Sequence, residues 1–240
     1  MGVNKVNKLT AKFRGLVAGI IAVSAIGFNA NAVASVALGA TRVIYSEGLK
    51  QVQLPVTNSD DNTYLVQSWI ENIDGVKDGS FIITPPLFAM QGKKENTLRI
   101  IDATNNRLAK DRESLFWMNV KAIPSMDKSK QNENTLQLAI VSRIKLIYRP
   151  VGLSISPDRA AEKLRFRRGA GVLTLINPTP YYLTVTELNV GSRVLDNTLV
   201  PPMGESSVDM PASSTGTITF KTINDYGALS QKIEGISVKE

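Results

Sequence analysis

The sequence contains no cysteine and no histidine among its 240 residues. Without cysteine there can be no disulfide and no thiol nucleophile, and without histidine a Ser–His–Asp triad cannot form. The zinc sites that proteins build from Cys and His are excluded as well. Phosphate-binding glycine loops, dinucleotide-binding loops and nucleophile elbows are also missing from the sequence. These absences predict a protein that is not an enzyme and that needs no metal or cofactor.

Much of the excess of basic residues lies at the N-terminus. Residues 1–34 contain four basic residues and no acidic one, then an apolar stretch over residues 15–28 and the small-residue ending Ala32-Val33-Ala34. This order is typical of a secretory signal peptide, and the apolar stretch is shorter than the ~20 residues that a membrane span needs. An amphipathic helix of the folded domain is the alternative. We expect export to the periplasm and no membrane insertion after cleavage.

Removal of this segment changes what the net charge implies. The whole chain has 28 basic and 21 acidic residues, a net charge of +7. Taking four from 28 leaves 24 basic residues against 21 acidic ones, so the mature chain carries only +3. No basic stripe interleaved with aromatic residues accompanies this small excess, and we therefore expect no binding to nucleic acid.

The mature chain is dominated by apolar residues at every second position, separated by turn-forming residues. Short strands with such turns predict an all-β protein. Only residues 103–112 and 157–163 are candidates for a short helical turn. A strand over residues 136–148 ends before Pro150, and we expect a boundary there. The prediction is therefore two immunoglobulin-like β-sandwich domains, 35–150 and 151–240, of a size that suits this fold.

The start of the 136–148 strand carries a distinctive chemical pattern. Leu136, Leu138 and Ile140 alternate with smaller or polar residues, so their side chains share one face. A half-buried strand that faces its own core would explain this pattern. By itself the pattern favours this interpretation. The other interpretation is an exposed edge strand that offers apolar side chains to a partner, a feature that natural proteins generally suppress.

Several separated motifs, in order, resemble one family. They are Asp-Arg-Glu-Ser-Leu-Phe-Trp-Met-Asn (111–119), Ala-Ile-Pro-Ser (122–125), Ser-Arg-Ile-Lys-Leu-Ile-Tyr-Arg-Pro (142–150), Asn-Pro-Thr-Pro-Tyr (177–181) and Ile-Asn-Asp-Tyr-Gly (223–227). They resemble the periplasmic chaperones of the chaperone–usher pathway over the whole mature chain. The resemblance implies two sandwiches set at an angle around a cleft, a fold class that includes a member of this family.

The resemblance also implies a function and its residues. The chaperone would lend the strand with Leu136, Leu138 and Ile140 to a fimbrial subunit whose own sandwich lacks a strand, and would deliver the subunit to the outer-membrane usher. Arg42 and Lys145 match the family residues that anchor the subunit's C-terminal carboxylate. The charged residues that match a cluster setting the angle between the domains are Glu113, Arg149 and Asp225. An apolar strand left exposed also predicts weak self-association of the free chaperone.

One geometric difficulty accompanies these expectations. Strict alternation places even-numbered residues on the face of Ile140, whereas Lys145 is odd. Either a bulge re-aims Lys145 or the cleft lies on the other side of the strand.

Three other classes of protein remain to be compared. An exported hydrolase is disfavoured by the missing His and Cys, and a structural pilin by the missing cysteine pair and N-terminal extension. A carbohydrate-binding module would need a stacking platform, of which two Trp and six Tyr without clustering give little sign.

Overall fold

The structure, a computed structural model, describes residues 36–126, 136–169 and 171–238. These belong to one compact unit, Ser35–Glu240, so the predicted signal peptide lies outside the described residues. The first nine strands are β1 (Val36–Leu38), β2 (Arg42–Ser46), β3 (Val52–Asn58), β4 (Tyr64–Glu71), β5 (Phe81–Thr84), β6 (Leu87–Met90), β7 (Glu95–Asp102), β8 (Ser114–Pro124) and β9 (Ile140–Arg149).

These nine strands form two sheets, ordered β1-β3-β7-β5 and β2-β9-β8-β4-β6. Alternating burial in β4 shows why this sequence forms a sandwich, since every second side chain is buried on the inner face. Aromatic rings join the two sheets in the core, and the Phe81 ring centroid lies 5.2 Å from those of both Tyr45 and Phe116. β2 pairs with β9 in the parallel sense, whereas β8 pairs with β9 in the antiparallel sense.

The remaining elements form a second sandwich. They are the short helix α1 (Pro157–Ala160), a 3₁₀ turn (Ala161–Lys163), β10 (Arg165–Arg168), β11 (Val172–Asn177), β12 (Leu183–Val190), β13 (Arg193–Val194), β14 (Thr198–Val200), β15 (Gly204–Asp209), β16 (Ile218–Thr222), β17 (Ile233–Glu234) and β18 (Ile236–Val238). Its sheets have the orders β15-β11-β10-β18 and β13-β12-β16-β17, with β14 also paired to β12. Phe166 and Phe220 meet in its core with ring centroids 5.2 Å apart.

The all-β fold class is therefore confirmed, and two local predictions need correction. Residues 103–112 form turns rather than a helix, and Asn105 and Asn106 adopt positive φ angles of 52° and 56°, which a right-handed helix does not allow. The strand predicted to start at residue 136 starts at Ile140 instead. The ladder between β8 and β9 begins at the pair Ala122–Ile140, and β8 ends two residues later at Pro124. Residues 136–139 form no ladder with β8, and the first two of them lie beyond its end.

Candidate functional site

Strand β9 has one edge that is only half covered. On one side, β8 pairs with β9 continuously from Ile140 to Tyr148. On the other side, β2 pairs only with residues Lys145 to Arg149. In the part of the chain that the structure describes, no strand covers this edge from Ile140 to Ile144. The backbone N–H and C=O groups along it are therefore available to a further strand.

The side chains at the start of this edge are apolar and exposed. Leu136 is 85% exposed, Leu138 69% and Ile140 60%. Further along the same face of β9, Leu146 and Tyr148 are fully buried in the core of the first sandwich. The apolar residues before the buried part of β9 are therefore exposed to solvent. The interpretation that these three residues are buried in their own core is wrong for this structure.

Arg42 and Lys145 lie opposite each other at the point where the free edge ends. Both reach the second sandwich: Arg42 Nη1 donates to the carbonyl oxygen of Ile223 at 3.1 Å, and Lys145 Nζ donates to Thr184 Oγ1 at 2.6 Å. The Arg42 Nε–H is buried and has no hydrogen-bond acceptor in the ranges that the structure describes. Among the described residues, no carboxylate forms a salt bridge with either cation.

Burial makes these two charges costly. Desolvation, together with the positive charge of Arg42, lowers the pKa of Lys145 to about 8. Burial also lowers the pKa of Arg42, and the charge of Asp225 only partly offsets this effect. Two partly desolvated cations, one of which has an N–H without an acceptor among the described residues, form a site that favours an anion. A carboxylate would satisfy both charge and hydrogen bonding.

The structure also resolves the geometric difficulty over Lys145. The ladder between β8 and β9 runs in unbroken register, so no bulge re-aims a side chain between Ile140 and Tyr148. Lys145 lies on the outer face of its sheet, opposite to the face of Ile140, and this outer face meets the second sandwich through Thr184. The free edge is therefore shared by two faces: one carries the apolar side chains, and the other carries the cations.

The three charged residues predicted at the domain junction come together. Arg149 Nε donates to Glu113 Oε1 at 2.7 Å, and its Nη1 and Nη2 donate to the two carboxylate oxygens of Asp225 at 2.6 and 2.8 Å. Glu113 also accepts from the backbone N–H of Tyr182 at 2.7 Å, while its own N–H donates to the carbonyl oxygen of Pro180 at 2.9 Å. Glu113 and Arg149 of the first sandwich thus bind two segments of the second.

The electrostatics of this cluster depend on its completeness. Burial raises the pKa of Glu113, and the Arg149 charge with the Tyr182 N–H offsets this only in part. Burial likewise opposes the charge of Arg149, but the hydrogen bonds to Asp225 and the charge of Glu113 outweigh it and raise the Arg149 pKa. The charges of Glu113 and Arg149 therefore compensate each other in a partly buried site, and loss of one would leave the other uncompensated.

Sequence reasoning missed the residues that the second sandwich contributes beside the two cations. Thr184 and Ile223 contact the two cations, and Gly227 packs against Thr41 of the first sandwich. Gly227 has a φ of 83°, and a Cβ placed there would lie 2.3 Å from Thr41 Oγ1. The motif at residues 223–227 was a signal for this loop, whereas nothing in the local pattern distinguishes Thr184 from other strand threonines.

Other kinds of site find no support in the described residues. No group of three or more His, Cys, Asp or Glu side chains there could hold a metal ion. No helix in the described ranges is long and apolar enough to cross a membrane.

Two linked immunoglobulin-like sandwiches, with an exposed apolar segment and two cations that have no carboxylate partner among the described residues, indicate a chaperone that binds another protein at this edge. Residues 35–154 match the family described as "Pili and flagellar-assembly chaperone, PapD N-terminal domain", and residues 159–234 match "Pili assembly chaperone PapD, C-terminal domain". The chain belongs to this PapD family of chaperones.

Among individual relatives, the chain is 72% identical to "Chaperone protein FimC" of Escherichia coli O6:H1 over 222 residues, 92% of each protein. It is 67% identical to "Chaperone protein FocC" of Escherichia coli over 85% of this chain and 90% of that one. These names support an assembly chaperone and not the alternative of a carbohydrate-binding module.

Solved structures agree with this assignment. The periplasmic chaperone SfaE matches with a TM-score of 0.76 and 64% identity, covering 84% of this chain and 99% of that chain. The SafB chaperone in complex with the Salmonella enterica SafA pilin matches with a TM-score of 0.77 and 33% identity, over 86% and 98% of the two chains.

Proposed function

We propose that the protein binds fimbrial subunits in the periplasm by adding its own strand to their incomplete sandwiches. The observation that carries this proposal is the free edge of β9, where Leu136, Leu138 and Ile140 continue the core line into solvent. A subunit that lacks one strand exposes both an unpaired edge and a core groove, which favours aggregation. Main-chain hydrogen bonds to β9 would cover the edge, and the three apolar side chains would fill the groove.

A carboxylate bound at the two cations would set the direction of the bound subunit strand. A strand added at residues 140–144 occupies the same column as β2, whose first residue, Arg42, lies opposite Lys145. If the subunit strand ends in a carboxylate at these cations, it runs in the same direction as β9. The pairing is then parallel, and the bound carboxylate determines which subunit residue meets Ile140.

The two cations would hold this carboxylate through charge-assisted hydrogen bonds. Arg42 offers its Nε–H, and Lys145 offers its ammonium; within the described residues the first has no acceptor and the second donates to Thr184. The bound anion would offset the electrostatic repulsion between the two cations. Binding at the anchor and strand pairing therefore support each other.

We further propose that the domain boundary lies at Pro150 and that Glu113, Arg149 and Asp225 fix the angle between the domains. β9 ends at Arg149, and the cluster spans the junction immediately there. The cleft must keep a constant width for Thr184 and Ile223 to stay beside the anchor.

Delivery of the subunit to the outer-membrane usher completes the proposed function, with residues 1–34 as the cleaved export signal. The 72% identity to FimC supports service to a fimbria of the type 1 kind. The exposed strand also makes weak self-association of the free chaperone an expected property, because two copies can cover each other's edges.

Purification of a tagged chaperone from the periplasm of cells that express fimbriae tests this function. The expected result is a stoichiometric complex with a fimbrial subunit, identified by mass spectrometry, and loss of soluble subunit when the chaperone gene is deleted. Recovery of normally folded, soluble subunit without the chaperone would contradict the proposal.

A further inference from the structure

A pocket of about 490 Å³ lies in the second sandwich beside Arg149, and the proposed function does not use it. It is lined by α1 and the 3₁₀ turn, by the start of β12, and by the loop after β16 together with β17. Its lining contains neither cation of the anchor and no residue of the uncovered edge of β9. Its volume lies within the range of about 300–1,000 Å³ that ligand sites have. We call it the Tyr226 pocket.

The charges of the Tyr226 pocket favour a cation. The charged residues in its lining are three carboxylates and one guanidinium, namely Asp158, Glu162, Asp225 and Arg149. The charge of Arg149 is already compensated, because this side chain donates to Glu113 as well as to Asp225. The salt bridge from Glu162 to Arg159 is long, at 3.9 Å, and both side chains are more than half exposed, so it contributes little. The lining therefore keeps an excess of negative charge.

A second feature of the pocket is the side chain of Tyr226, which is 93% exposed. The turn that carries it is well ordered, because Asn224 Oδ1 accepts from the backbone N–H of Tyr226 at 3.1 Å and from that of Ala228 at 2.9 Å. An aromatic side chain that stays in solvent adds little packing energy to the free protein. Exposed aromatic side chains on ordered backbone are typical of surfaces that bind another protein.

The interior of the pocket can accept an aliphatic chain. Ile233 and Leu183 contribute apolar surface, and Tyr181 is 5% exposed with its hydroxyl donating to the carbonyl oxygen of Ile155 at 2.5 Å. The guanidinium carbon of Arg149 lies 5.2 Å from the centre of the Tyr181 ring. A guanidinium beside a tyrosine and two carboxylates thus already occurs within this protein at the same location.

We propose that the Tyr226 pocket binds an arginine side chain of a partner protein. The aliphatic part of the arginine would pack on Ile233 and Tyr181, and its guanidinium would reach the carboxylates of Asp158 and Glu162. The planar group would also stack on Tyr226. A lysine would match the charge but not the plane, and an acidic side chain would meet three carboxylates. The inference is independent of strand addition, because the pocket shares no lining residue with the anchor or the uncovered edge.

Peptide titrations test the proposal on the full chaperone. The probes are acetylated and amidated peptides Gly-Ser-X-Ser-Gly, in which X is arginine, lysine or citrulline, the uncharged analogue of arginine with the same shape. Nuclear magnetic resonance of the labelled protein should show shifted amide signals in residues 157–162 and 223–231 with the arginine peptide. Its affinity should be about five- to tenfold higher than that of the citrulline peptide and about two- to fivefold higher than that of the lysine peptide.

Four variants and one control make the result specific. Tyr226→Ala should reduce the affinity of the arginine peptide to that of the lysine peptide, whereas Tyr226→Phe keeps the ring and should retain the preference. Asp158→Asn and Glu162→Gln should each weaken both cationic peptides. Asp196→Asn is the matched control, because Asp196 is an exposed carboxylate of the same sandwich outside the lining. It should change neither affinity. The melting temperature of each variant reports on its fold.

Three results would overturn the inference. The first is a citrulline peptide that binds as tightly as the arginine peptide, since the pocket would then not recognise charge. The second is an equal loss of affinity in Asp196→Asn and Asp158→Asn, which would assign the effect to the overall charge of the protein. The third is tighter binding of free agmatine or putrescine than of the arginine peptide, which would make the pocket a site for small cations and not for a protein. Subunit capture is tested separately by Lys145→Ala and is unaffected by any of these results.

Discussion

Arg42 and Lys145 are paired in register across the parallel strands β2 and β9, and neither forms a salt bridge with a carboxylate among the described residues. Two adjacent cations of this kind repel each other, and burial removes the water that would screen them. The arrangement destabilises the free protein locally. The pair of cations is explained as a preformed binding site, because a carboxylate supplied by a partner would attract both cations and outweigh their mutual repulsion.

We predict that Lys145→Ala or Arg42→Ala leaves the fold and export intact but removes subunit binding. Hydrogen bonds to charged groups contribute about 1.5–3 kcal/mol each, which corresponds to a ten- to hundredfold loss of affinity before errors of register add to it. Amidation of the C-terminus of a subunit-derived peptide should weaken binding to the wild type similarly and have little further effect on Lys145→Ala. An amidated peptide that binds the wild type as tightly as the free acid contradicts the anchor.

Subunit binding should weaken as the pH rises through 8. With a pKa of about 8, Lys145 is about nine-tenths protonated at pH 7 and about one-tenth at pH 9. The carboxylate needs the protonated form, so affinity should fall by at most about tenfold across this range. Arg42 stays charged throughout, and Lys145→Met should show a flat profile. Calorimetry at pH 7, 8 and 9 measures this, and an equal decline in Lys145→Met would assign the effect elsewhere.

The stability of the free chaperone should change in the opposite direction. The pKa of Lys145 is lower in the folded protein than its ordinary value of 10.5, so between pH 8 and 10.5 the unfolded state binds more protons than the folded state. The free energy of unfolding therefore rises with pH in this window as far as Lys145 is concerned. Measurements should stop near pH 9.5, because buried tyrosines such as Tyr45 have raised pKa values and reverse the trend above pH 10.

Leu138→Glu should abolish subunit capture and leave the melting temperature of the free chaperone almost unchanged. Leu138 is 69% exposed, so a charge there costs little in the free protein but would be buried in a subunit groove. Leu146→Glu is the contrasting variant, because Leu146 is fully buried and the same change should unfold the domain. A thermal melt measures the stability of each variant, and a pull-down measures subunit capture. A large loss of stability in Leu138→Glu would show that Leu138 has a structural role in the free chaperone.

The sequence predicts the fold better than it predicts the site. Strict alternation along β4 makes its register predictable, since only one of the two possible orientations of the strand buries the apolar side chains. The same alternation predicts a strand over residues 136–139, but a strand also needs a partner. Where the ladder with β8 begins depends on tertiary structure and cannot be read from the local sequence. The contact between Lys145 and Thr184 joins residues 39 positions apart. No local pattern reports such a pair, and only the family resemblance identified Lys145.

Processing is expected after Ala34, which makes Arg42 the eighth residue of the mature protein. A basic start, an apolar stretch and an Ala-x-Ala ending are what signal peptidase recognises. Mass spectrometry of the periplasmic protein should give a chain that begins at Ser35. A mature mass that retains residues 1–34, or a membrane-bound product, would contradict the export assignment.

The last prediction concerns the angle between the domains. Glu113 is 3% exposed, and it loses its guanidinium partner in Arg149→Ala. An exposed ion pair contributes only ~0–1 kcal/mol, whereas the removal of one partner from a buried pair costs about 3–5 kcal/mol because the other charge is left uncompensated. We expect the loss of stability in Arg149→Ala to lie near the lower end of this range, because the Asp225 side chain is 35% exposed.

The consequence should be a change of domain orientation and not the unfolding of either sandwich. Small-angle scattering should show a broader distribution of interdomain distances in Arg149→Ala, and Arg149→Lys should restore little, because one ammonium cannot bind Glu113 and both oxygens of Asp225 in the same geometry. Arg112→Ala is the matched control, since the one salt bridge of Arg112 among the described residues is to its exposed neighbour Asp111. Identical scattering of Arg149→Ala and the wild type would show that the cluster does not set the angle. Subunit affinity should fall together with the loss of orientation, because Thr184 and Ile223 then no longer lie at a fixed distance from Lys145 and Arg42.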